Sequence, residues 1–438
     1  MKKPVVLFVL CCIVFTTLSL SATAEIVVSP EKPMEISFLW WGGESRHELF
    51  NRILDMYEDK YPGLTITRIY GDYNGMMTKM ATMAASNSMP DCFGMTMMKK
   101  PDFAGLDVFE SMNKYIENGS LNVSNFTQSA LSAGMIDGEL VMLTWGDTCF
   151  CTVANKTLIE SVGMELPNND MTLDDYYDYC VELQSRLPDG YYATALYSAD
   201  AEYWFEAVVT QLGYSFISED GLDLGFPKEL LKEWYNYQLK LYENGLGPDA
   251  DTWADNAGKS YTDRMEASGR IALYRTNLNQ VKTMQTALED ELAVFRSPYH
   301  AEAIEKYTDL IQPSAMCINK NCSEEKKEVI IAIYNDFVNS KEMQEIFNLE
   351  WGVPGSSEIQ EYLLTKLDEN DPIDRIRSEE INLYALVSST IVPSEGRKPG
   401  TAAMLTEITN KWYEILFNRM SVDEAVDAVY DSAWTILG

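Results

Sequence analysis

The stretch Met34-Glu-Ile-Ser-Phe-Leu-Trp-Trp-Gly-Gly-Glu-Ser-Arg-His47 begins as an apolar strand and runs into a loop that is aromatic, charged and broken by two glycines. This loop places the indole rings of Trp40 and Trp41 beside the hydrogen-bonding groups of Glu44 and Arg46. A flat apolar face next to polar groups is what binding of a polar ring such as a sugar requires. The stretch therefore predicts a strand that ends in a binding loop. The alternative is a buried tryptophan pair followed by a solvated turn.

The sequence after this strand alternates between helical and strand patterns. Residues 46–61 carry apolar side chains at helical spacing, and the pattern stops at Pro62-Gly63. Residues 64–70 alternate like a strand, residues 73–86 are again helical, and residues 89–95 are typical of a turn that leads into a short buried strand. Alternating strands and helices of this kind predict an α/β lobe with a largely parallel sheet.

The rest of the chain has helical patterns interrupted by a few strands. Asp137-Gly138 indicates a hairpin or a strand start, and Thr172 to Asp175 fits a capping box at the beginning of a helix. No fixed-period repeat or low-complexity linker separates these segments, so we predict two lobes that exchange chain with each other. Strand character returns at 268–275, and helices are expected after Phe226-Pro227 and at 323–347 and 401–437.

The N-terminus has the features of a removable secretion signal. Lys2 and Lys3 are followed by an apolar segment, residues 5–20, and by the small-residue sequence Ala22-Thr-Ala24. This arrangement predicts cleavage after residue 24 and an exported protein, periplasmic or associated with the outer cell surface. The residues before Cys11 fit a lipoprotein cleavage box poorly, so we expect a free protein, with a lipid anchor or a retained apolar segment as alternatives.

The charge of the chain limits its partners. Lys and Arg total 34 against 67 Asp and Glu, which gives a net charge of -33. No basic stripe is present to neutralise phosphates, so nucleic acid is not expected as a partner. Neutral or cationic ligands fit this charge better than anionic ones. We expect a monomer, without a cofactor or a metal.

Six cysteines remain once the signal is removed, and in an oxidising compartment an even number suggests disulfides. Cys317 and Cys322, which are separated by four residues, form the one pair that we predict. A structural zinc site is the competing interpretation, but the whole chain has two histidines and no C-x2-C pair.

Eight short motifs follow one another along the chain. They are the Trp40–Gly43 loop, Tyr61-Pro-Gly-Leu-Thr-Ile66, Met89-Pro-Asp91, the segment 145–155, the helix 172–183, the strand Gly269-Arg-Ile-Ala-Leu-Tyr274, Trp351-Gly-Val-Pro354 and Met420-Ser-Val-Asp-Glu-Ala425. In this order the chain resembles the extracellular solute-binding proteins of ABC importers, family 1, which includes the maltose-binding proteins. Leu173 stands where the family's T-W-D-E-F helix usually has tryptophan.

The resemblance implies an α/β fold of the periplasmic-binding-protein type II, with two lobes, a hinge and a ligand cleft between the lobes. It places the crossings between lobes near 143–150, near Tyr274 and near Ser340. The implied lobes are 34–145 plus 275–340 for the first, and 146–274 plus 341–438 for the second.

The candidate site combines aromatic rings with polar side chains. Trp40, Trp41, Glu44 and Arg46 follow the first strand, where open α/β sheets place ligands. Arg46 pairing with Glu44 or Glu48 on the surface is the alternative for that residue. The other candidates are Tyr73, Asp91, Trp145, Asp147, Arg275, Asn277, Trp351 and Arg397, together with Tyr203 and Trp204, which resemble the family's second-lobe platform.

Several of these candidates have structural alternatives. Asp91 is equally suited to capping a backbone amide, and Trp145 to core packing near the hinge. Trp351 fits burial against its own helix as well as it fits closing the cleft.

The leading functional hypothesis is non-catalytic. The chain is expected to capture an uncharged solute, an oligosaccharide first of all, and to deliver it to the transmembrane subunits of an ABC permease. A secreted glycan-active hydrolase is one alternative, since paired carboxylates are plentiful. A sensory ligand-binding module that hands a closed lobe to a receptor is another.

Overall fold

The computed structural model describes residues 28–195, 201–257, 259, 263–306, 311–389 and 397–438, without the side chains of 201–203 and 257. The predicted signal segment, residues 1–24, lies outside these ranges. None of the described helices combines the length and the apolar character needed to cross a bilayer.

The first lobe is built on a five-stranded sheet with the order β2-β1-β3-β11-β6. Strand β1 runs parallel to β2 and β3, whereas β11 is antiparallel to both β3 and β6. The carboxyl ends of β1, β2, β3 and β6 therefore meet the amino end of β11 at one edge. The strands are β1 Met34–Trp41, β2 Leu64–Gly71, β3 Cys92–Thr96, β6 Leu143–Thr148 and β11 Gln312–Ile318, with a small hairpin of β4 Met135–Ile136 and β5 Glu139–Leu140.

The second lobe is built on a four-stranded sheet with the order β10-β7-β9-β8. Strands β7 and β9 are antiparallel, and β8 and β9 are parallel. The strands are β7 Phe150–Asn155, β8 Tyr192–Ala195, β9 Ile271–Asn277 and β10 Leu292–Phe295.

Helices cover both sheets. The first lobe carries α1 Glu44–Lys60, α2 Tyr73–Ala85, α3 Lys100–Ala104, α4 Asn113–Glu117, α5 Gln128–Ala133, α12 Glu324–Asn339 and α13 Lys341–Phe347. The second carries α6 Lys156–Ser161, α7 Leu173–Gln184, α8 Ala201–Gln211, α9 Lys228–Glu243, α10 Ala250–Ala257, α11 Val281–Ala287, α14 Ser357–Leu364, α15 Pro372–Ser388, α16 Thr401–Leu416 and α17 Val422–Leu437.

Local sequence signals explain where several elements begin and turn. Thr172 and Asp175 form the predicted capping box, each side chain bonding the other residue's backbone N–H. Asp137 and Gly138 both have positive φ, as a two-residue hairpin loop requires, and they join β4 to β5. The predicted helices at 323–347 and 401–437 are each divided in two, because Ser340 and Ser421 act as new N-caps.

The crossings between the lobes differ from the prediction at two of three places. The first crossing, at Cys149 between β6 and β7, falls within the predicted segment. Strands β9 and β10 both belong to the second sheet, so the chain returns to the first lobe between Phe295 and Gln312 and not near Tyr274. The third crossing lies near Trp351 and not near Ser340, since α13 packs against α1 and Phe347 is buried in the first-lobe core.

Each lobe has its own hydrophobic core. Phe38, Phe50 and Trp145 are buried in the first core, and Phe205, Trp234 and Tyr384 are buried in the second. Each sheet therefore belongs to a lobe with its own core. The strand ends that face each other between the two lobes form the cleft.

Candidate functional site

A cavity of about 580 Å³ lies between the two lobes. One side of it is the edge of the first sheet where the carboxyl ends of β1, β3 and β6 meet the amino end of β11, and the other side is the end of β9. Its volume is within the range of small-molecule sites. The first lobe lines it with Trp41, Gly42, Arg46, Asp72, Tyr73, Thr96, Met97, Met98, Thr148, Gln312, Pro313 and Ser314. The second lobe contributes Asn277, Asn279 and Gln280.

Trp40 and Trp41 have different environments, because successive strand residues point to opposite faces of the sheet. Trp40 is fully buried, stacks between Phe50 and Tyr70, and donates from Nε1 to Nδ1 of His47 at 3.1 Å. Trp41 is 6% exposed, and this small exposed part of its side chain lines the cavity. The structure therefore puts one of the two predicted indoles at the site and the other in the core.

The Trp41 ring is held by two further aromatic rings. It stacks on Trp351, with ring centroids 4.9 Å apart, and meets Tyr73 edge to face at 5.6 Å. The Tyr73 hydroxyl lies 3.3 Å from the Thr96 hydroxyl. Trp351 is buried and is not among the residues that line the cavity, so it supports Trp41 from behind.

Arg46 lines the cavity but is paired with a carboxylate. Its Nε donates to Glu350 Oε1 at 3.1 Å, and its Nη2 donates to the Glu350 backbone oxygen at 3.0 Å. Lys282 of α11 approaches the same carboxylate at 3.5 Å. Burial lowers the pKa of Arg46 while Glu350 raises it. Glu350 thus neutralises Arg46 and links the two lobes, in place of the Glu44 or Glu48 pairing considered from sequence.

Four amide side chains surround the polar part of the cavity. Asn279 donates from Nδ2 to the Trp351 carbonyl oxygen, and Gln280 donates from Nε2 to Asn279 Oδ1, each at 3.4 Å. In contrast, Oδ1 of Asn277 and Nε2 of Gln312 are buried and have no hydrogen-bond partner among the described residues.

The first crossing holds a buried acid. Asp147 is fully buried, its Oδ2 accepts a hydrogen bond from the Tyr384 hydroxyl, and its backbone pairs with Val353 of the third crossing. Burial raises the pKa of Asp147 to about 7, although the hydrogen bond from Tyr384 acts in the opposite direction. Asp147 therefore sits behind the cavity, in the hinge.

Trp145, the other candidate at this crossing, is buried in the first-lobe core. Its ring stacks on Phe337 with the centroids 3.7 Å apart. Core packing, the alternative considered from the sequence, is the environment that the structure gives it.

Two of the three remaining second-lobe candidates, Trp204 and Arg275, are not among the residues that line the cavity. Trp204 is buried and donates from Nε1 to the Pro298 carbonyl oxygen at 3.2 Å. The guanidinium of Arg275 lies 4.1 Å from the centroid of the Phe150 ring, and its Nε donates to Ser297 Oγ. The side chain of the third candidate, Tyr203, is outside the described part of the chain.

Arg397 reaches the edge of the cavity from the second lobe. It pairs with Glu206, with its Nε 2.8 Å from Oε1, and its Nη1 contacts Met98 of the first lobe. The two lobes thus touch at this edge.

Two candidates lie away from the cavity. Asp91 accepts hydrogen bonds from the backbone N–H and hydroxyl of Ser37 and pairs with Lys326 at 2.9 Å, so it fastens β1 to α12. Glu44 is exposed in the first turn of α1, where a carboxylate favours the helix dipole.

The predicted Cys317–Cys322 disulfide is not formed. Both thiols are free: Cys317 is fully buried within β11, whereas Cys322 is half-buried in the turn before α12. Burial raises the pKa of Cys322 to about 11, which favours the thiol form. The described residues also contain no group of three or more His, Cys, Asp or Glu side chains placed to hold a metal ion.

The sequence model of the bacterial extracellular solute-binding proteins matches residues 52–357, well over half of the chain. The chain belongs to this family. Periplasmic binding proteins close two lobes around a ligand, and the cavity described above lies between the two lobes of this chain.

Solved structures of other solute-binding proteins share the fold. A periplasmic solute-binding protein of Pectobacterium atrosepticum has a TM-score of 0.78 and 18% identity, over 92% of this chain and 98% of that chain. An oligogalacturonide-binding protein of Yersinia enterocolitica, in complex with saturated digalacturonic acid, has a TM-score of 0.74 and 18% identity over the same shares. A cyclic alpha-maltosyl-1,6-maltose-binding protein of Arthrobacter globiformis has a TM-score of 0.73 and 16% identity, over 92% and 99%.

Sequence reasoning missed much of the lining of the cavity between the lobes. Met97 and Met98 follow β3, and Asn279 and Gln280 follow β9, at the strand ends where ligands are expected. Their position directly after a strand could have identified these four residues as candidates. Gln312 gave no such signal, because it lies at the amino end of a strand that enters the sheet antiparallel.

Proposed function

We propose that this protein captures a neutral carbohydrate, an oligosaccharide, in the cavity between its lobes and delivers it unchanged to the transmembrane subunits of an ABC importer. The protein is exported through its N-terminal signal and acts as a monomer. The observation that carries the proposal is the Trp41 platform, which lies beside amide, hydroxyl and guanidinium groups in one cavity. A sugar ring stacks its C–H face on an indole while its hydroxyls bond to polar groups around the rim.

The pairing of charges at the site supports a neutral ligand. Arg46 is held by Glu350, and Arg397 by Glu206. A carboxylate ligand would have to compete with these paired protein carboxylates, and the net charge of -33 would repel it at long range. Neutral hydroxyls meet neither obstacle.

The acids of the cavity support binding without hydrolysis. Asp72 is the single acidic residue among the described residues that line it, and its Oδ1 accepts from the Gly75 N–H as the N-cap of α2. Glycoside hydrolysis ordinarily requires two carboxyl groups that flank the scissile bond. The family is one of binding proteins, and the Yersinia and Arthrobacter structures are named for oligosaccharide ligands, which agrees with the proposed ligand class.

A thermal-shift screen tests the proposal. Neutral oligosaccharides, uronic-acid oligomers, polyols, peptides and polyamines are added separately, since a ligand that binds the native state raises the melting temperature. We expect a stabilising ligand among the neutral oligosaccharides, and mass spectrometry should recover it unaltered. Stabilisation by polyamines or peptides alone would overturn the ligand class, and cleaved products would overturn the non-catalytic role.

A further inference from the structure

The two unpartnered amides of the cavity stand on either side of the first crossing. Gln312, at the start of β11, pairs in register with Thr148 of β6. Asn277, at the end of β9, pairs in register with Phe150 of β7. Thr148 and Phe150 are two residues apart, so the two amides flank the hinge from opposite lobes.

Unpaired polar atoms are unusual in the interior of a folded protein. Asn277 Oδ1 and Gln312 Nε2 are buried without a partner among the described residues, whereas the neighbouring Asn279 and Gln280 side chains bond to protein atoms. Because buried polar groups nearly always find a hydrogen-bond partner, an exception at the wall of a cavity needs an explanation. Both side chains line the cavity, so a ligand that bonds to the two amides is the explanation that the location favours.

We infer that Asn277 and Gln312 determine specificity by binding neighbouring hydroxyls of one sugar ring that rests on Trp41. This inference rests on the proposed function and adds the chemistry of the ligand, a neutral ring with two adjacent free hydroxyl groups. Each hydroxyl both donates and accepts, and each amide offers a carbonyl oxygen and an NH2 group. A hydroxyl can therefore bond to either end of each amide, whichever of the oxygen and the NH2 group faces it.

The positions of the two amides connect binding of the sugar ring with shutting of the two lobes. One belongs to the second lobe and the other to the first. A ring bound to both satisfies both amides when the lobes are together around it, so these contacts favour the shut arrangement over the open one.

Replacement of each amide by an apolar side chain of similar size tests the inference. The probe is the neutral oligosaccharide that gives the largest thermal shift with the wild-type protein. We expect Asn277→Leu and Gln312→Met each to weaken its binding by about tenfold or more, since each leaves a ligand hydroxyl unpaired. The melting temperature of the ligand-free protein should stay the same or rise, because each variant removes a buried polar group that has no partner.

A matched control and a modified ligand sharpen the test. Asn382 is an exposed amide on α15, outside the cavity, and Asn382→Ala should leave affinity unchanged. A deoxy version of the sugar that lacks the hydroxyl bound by Gln312 should bind wild type and Gln312→Met equally weakly.

Two results would overturn the inference and leave the proposed function in place. One is affinity within about twofold of wild type in both variants. The other is a fall in the ligand-free melting temperature that accounts for the lost binding, as a purely structural role would produce. Failure of every carbohydrate to bind the wild-type protein would instead remove the proposed function, and this inference with it.

Discussion

The side chain of Trp41 is the clearest functional feature at the scale of single residues. Its neighbour Trp40 has the same chemistry but points to the other face of β1, where Phe50 and Tyr70 enclose it. Strand alternation therefore decides which indole is able to meet a ligand.

Trp41→Ala should weaken oligosaccharide binding by at least about tenfold, because it removes the stacking platform. Trp41→Phe should retain part of the affinity through its smaller ring. Equilibrium titration of each variant provides the measurement. Trp434 is the control, since it is 77% exposed on α17 and its replacement by alanine should leave affinity unchanged. Equal losses in Trp41→Ala and Trp434→Ala would contradict the assignment.

Asp147 should make stability depend on pH. Between pH 3.8 and about 7 its carboxyl is ionised in the unfolded chain but keeps its proton in the folded protein. The folded state then binds more protons, so the free energy of unfolding falls as pH rises through this window. Burial also raises the pKa of Glu380, to about 8, so wild type alone does not isolate the effect.

Comparison with Asp147→Asn isolates it. Relative to wild type, the variant should gain stability with rising pH across the same window, by up to roughly 1.4 kcal/mol per pH unit. Urea unfolding at a series of pH values measures this difference. A difference that stays constant with pH would show that Asp147 does not titrate in the window.

At the scale of elements, the crossings are held together by backbone pairing. The N–H of Asp147 donates to Val353 O at 2.7 Å, and the N–H of Val353 donates back at 2.8 Å. Gly352 precedes this bridge with φ +129, and a Cβ there would lie 2.3 Å from the Asp147 carbonyl oxygen. Close approach of two crossings therefore requires glycine.

Gly352→Ala should lower the free energy of unfolding by about 2 kcal/mol or more, through the clash and the unfavourable φ. Denaturant unfolding measures the loss. Gly105→Ala is the matched control, because Gly105 has φ -78 and open space around its Cα. Its effect should stay within about 0.5 kcal/mol. Comparable effects in the two variants would refute the packing argument.

Elements that depend on local signals were predictable from the sequence. The α7 capping box needs only Thr172 and Asp175, and the β4–β5 hairpin needs only Asp137-Gly138. The later crossings were not predictable in this way. Whether β9 and β10 stay in the second sheet depends on pairing with β7, which is more than 100 residues away in the sequence.

At the scale of the whole molecule, the site is assembled from distant parts of the chain. The first strand-loop supplied Trp41 and Arg46 as predicted candidates, but Glu350, the partner of Arg46, lies 304 residues later. Sequence patterns report neighbours along one helix or strand, so the charge state of the site and the part played by Gln312 became visible only in three dimensions.

The lobes touch at Arg397 and Met98, and Glu350 bridges them near the hinge. These contacts make the described arrangement a shut one, and we expect the ligand-free protein in solution to open beyond it. Saturation with the bound sugar should then reduce the radius of gyration in small-angle X-ray scattering, because the ligand favours the shut arrangement. A sugar that gives no thermal shift serves as the control and should leave scattering unchanged. An unchanged radius with saturating ligand would rule out hinge closure.

Calorimetric titration of the wild-type protein shows whether a neutral oligosaccharide binds. A panel of neutral oligosaccharides, with uronic-acid oligomers and polyamines alongside, is titrated into the full protein. We expect saturable one-to-one binding of a neutral oligosaccharide and no binding of the charged compounds. Absence of binding by every neutral oligosaccharide, or saturable binding of a charged compound in its place, would contradict it.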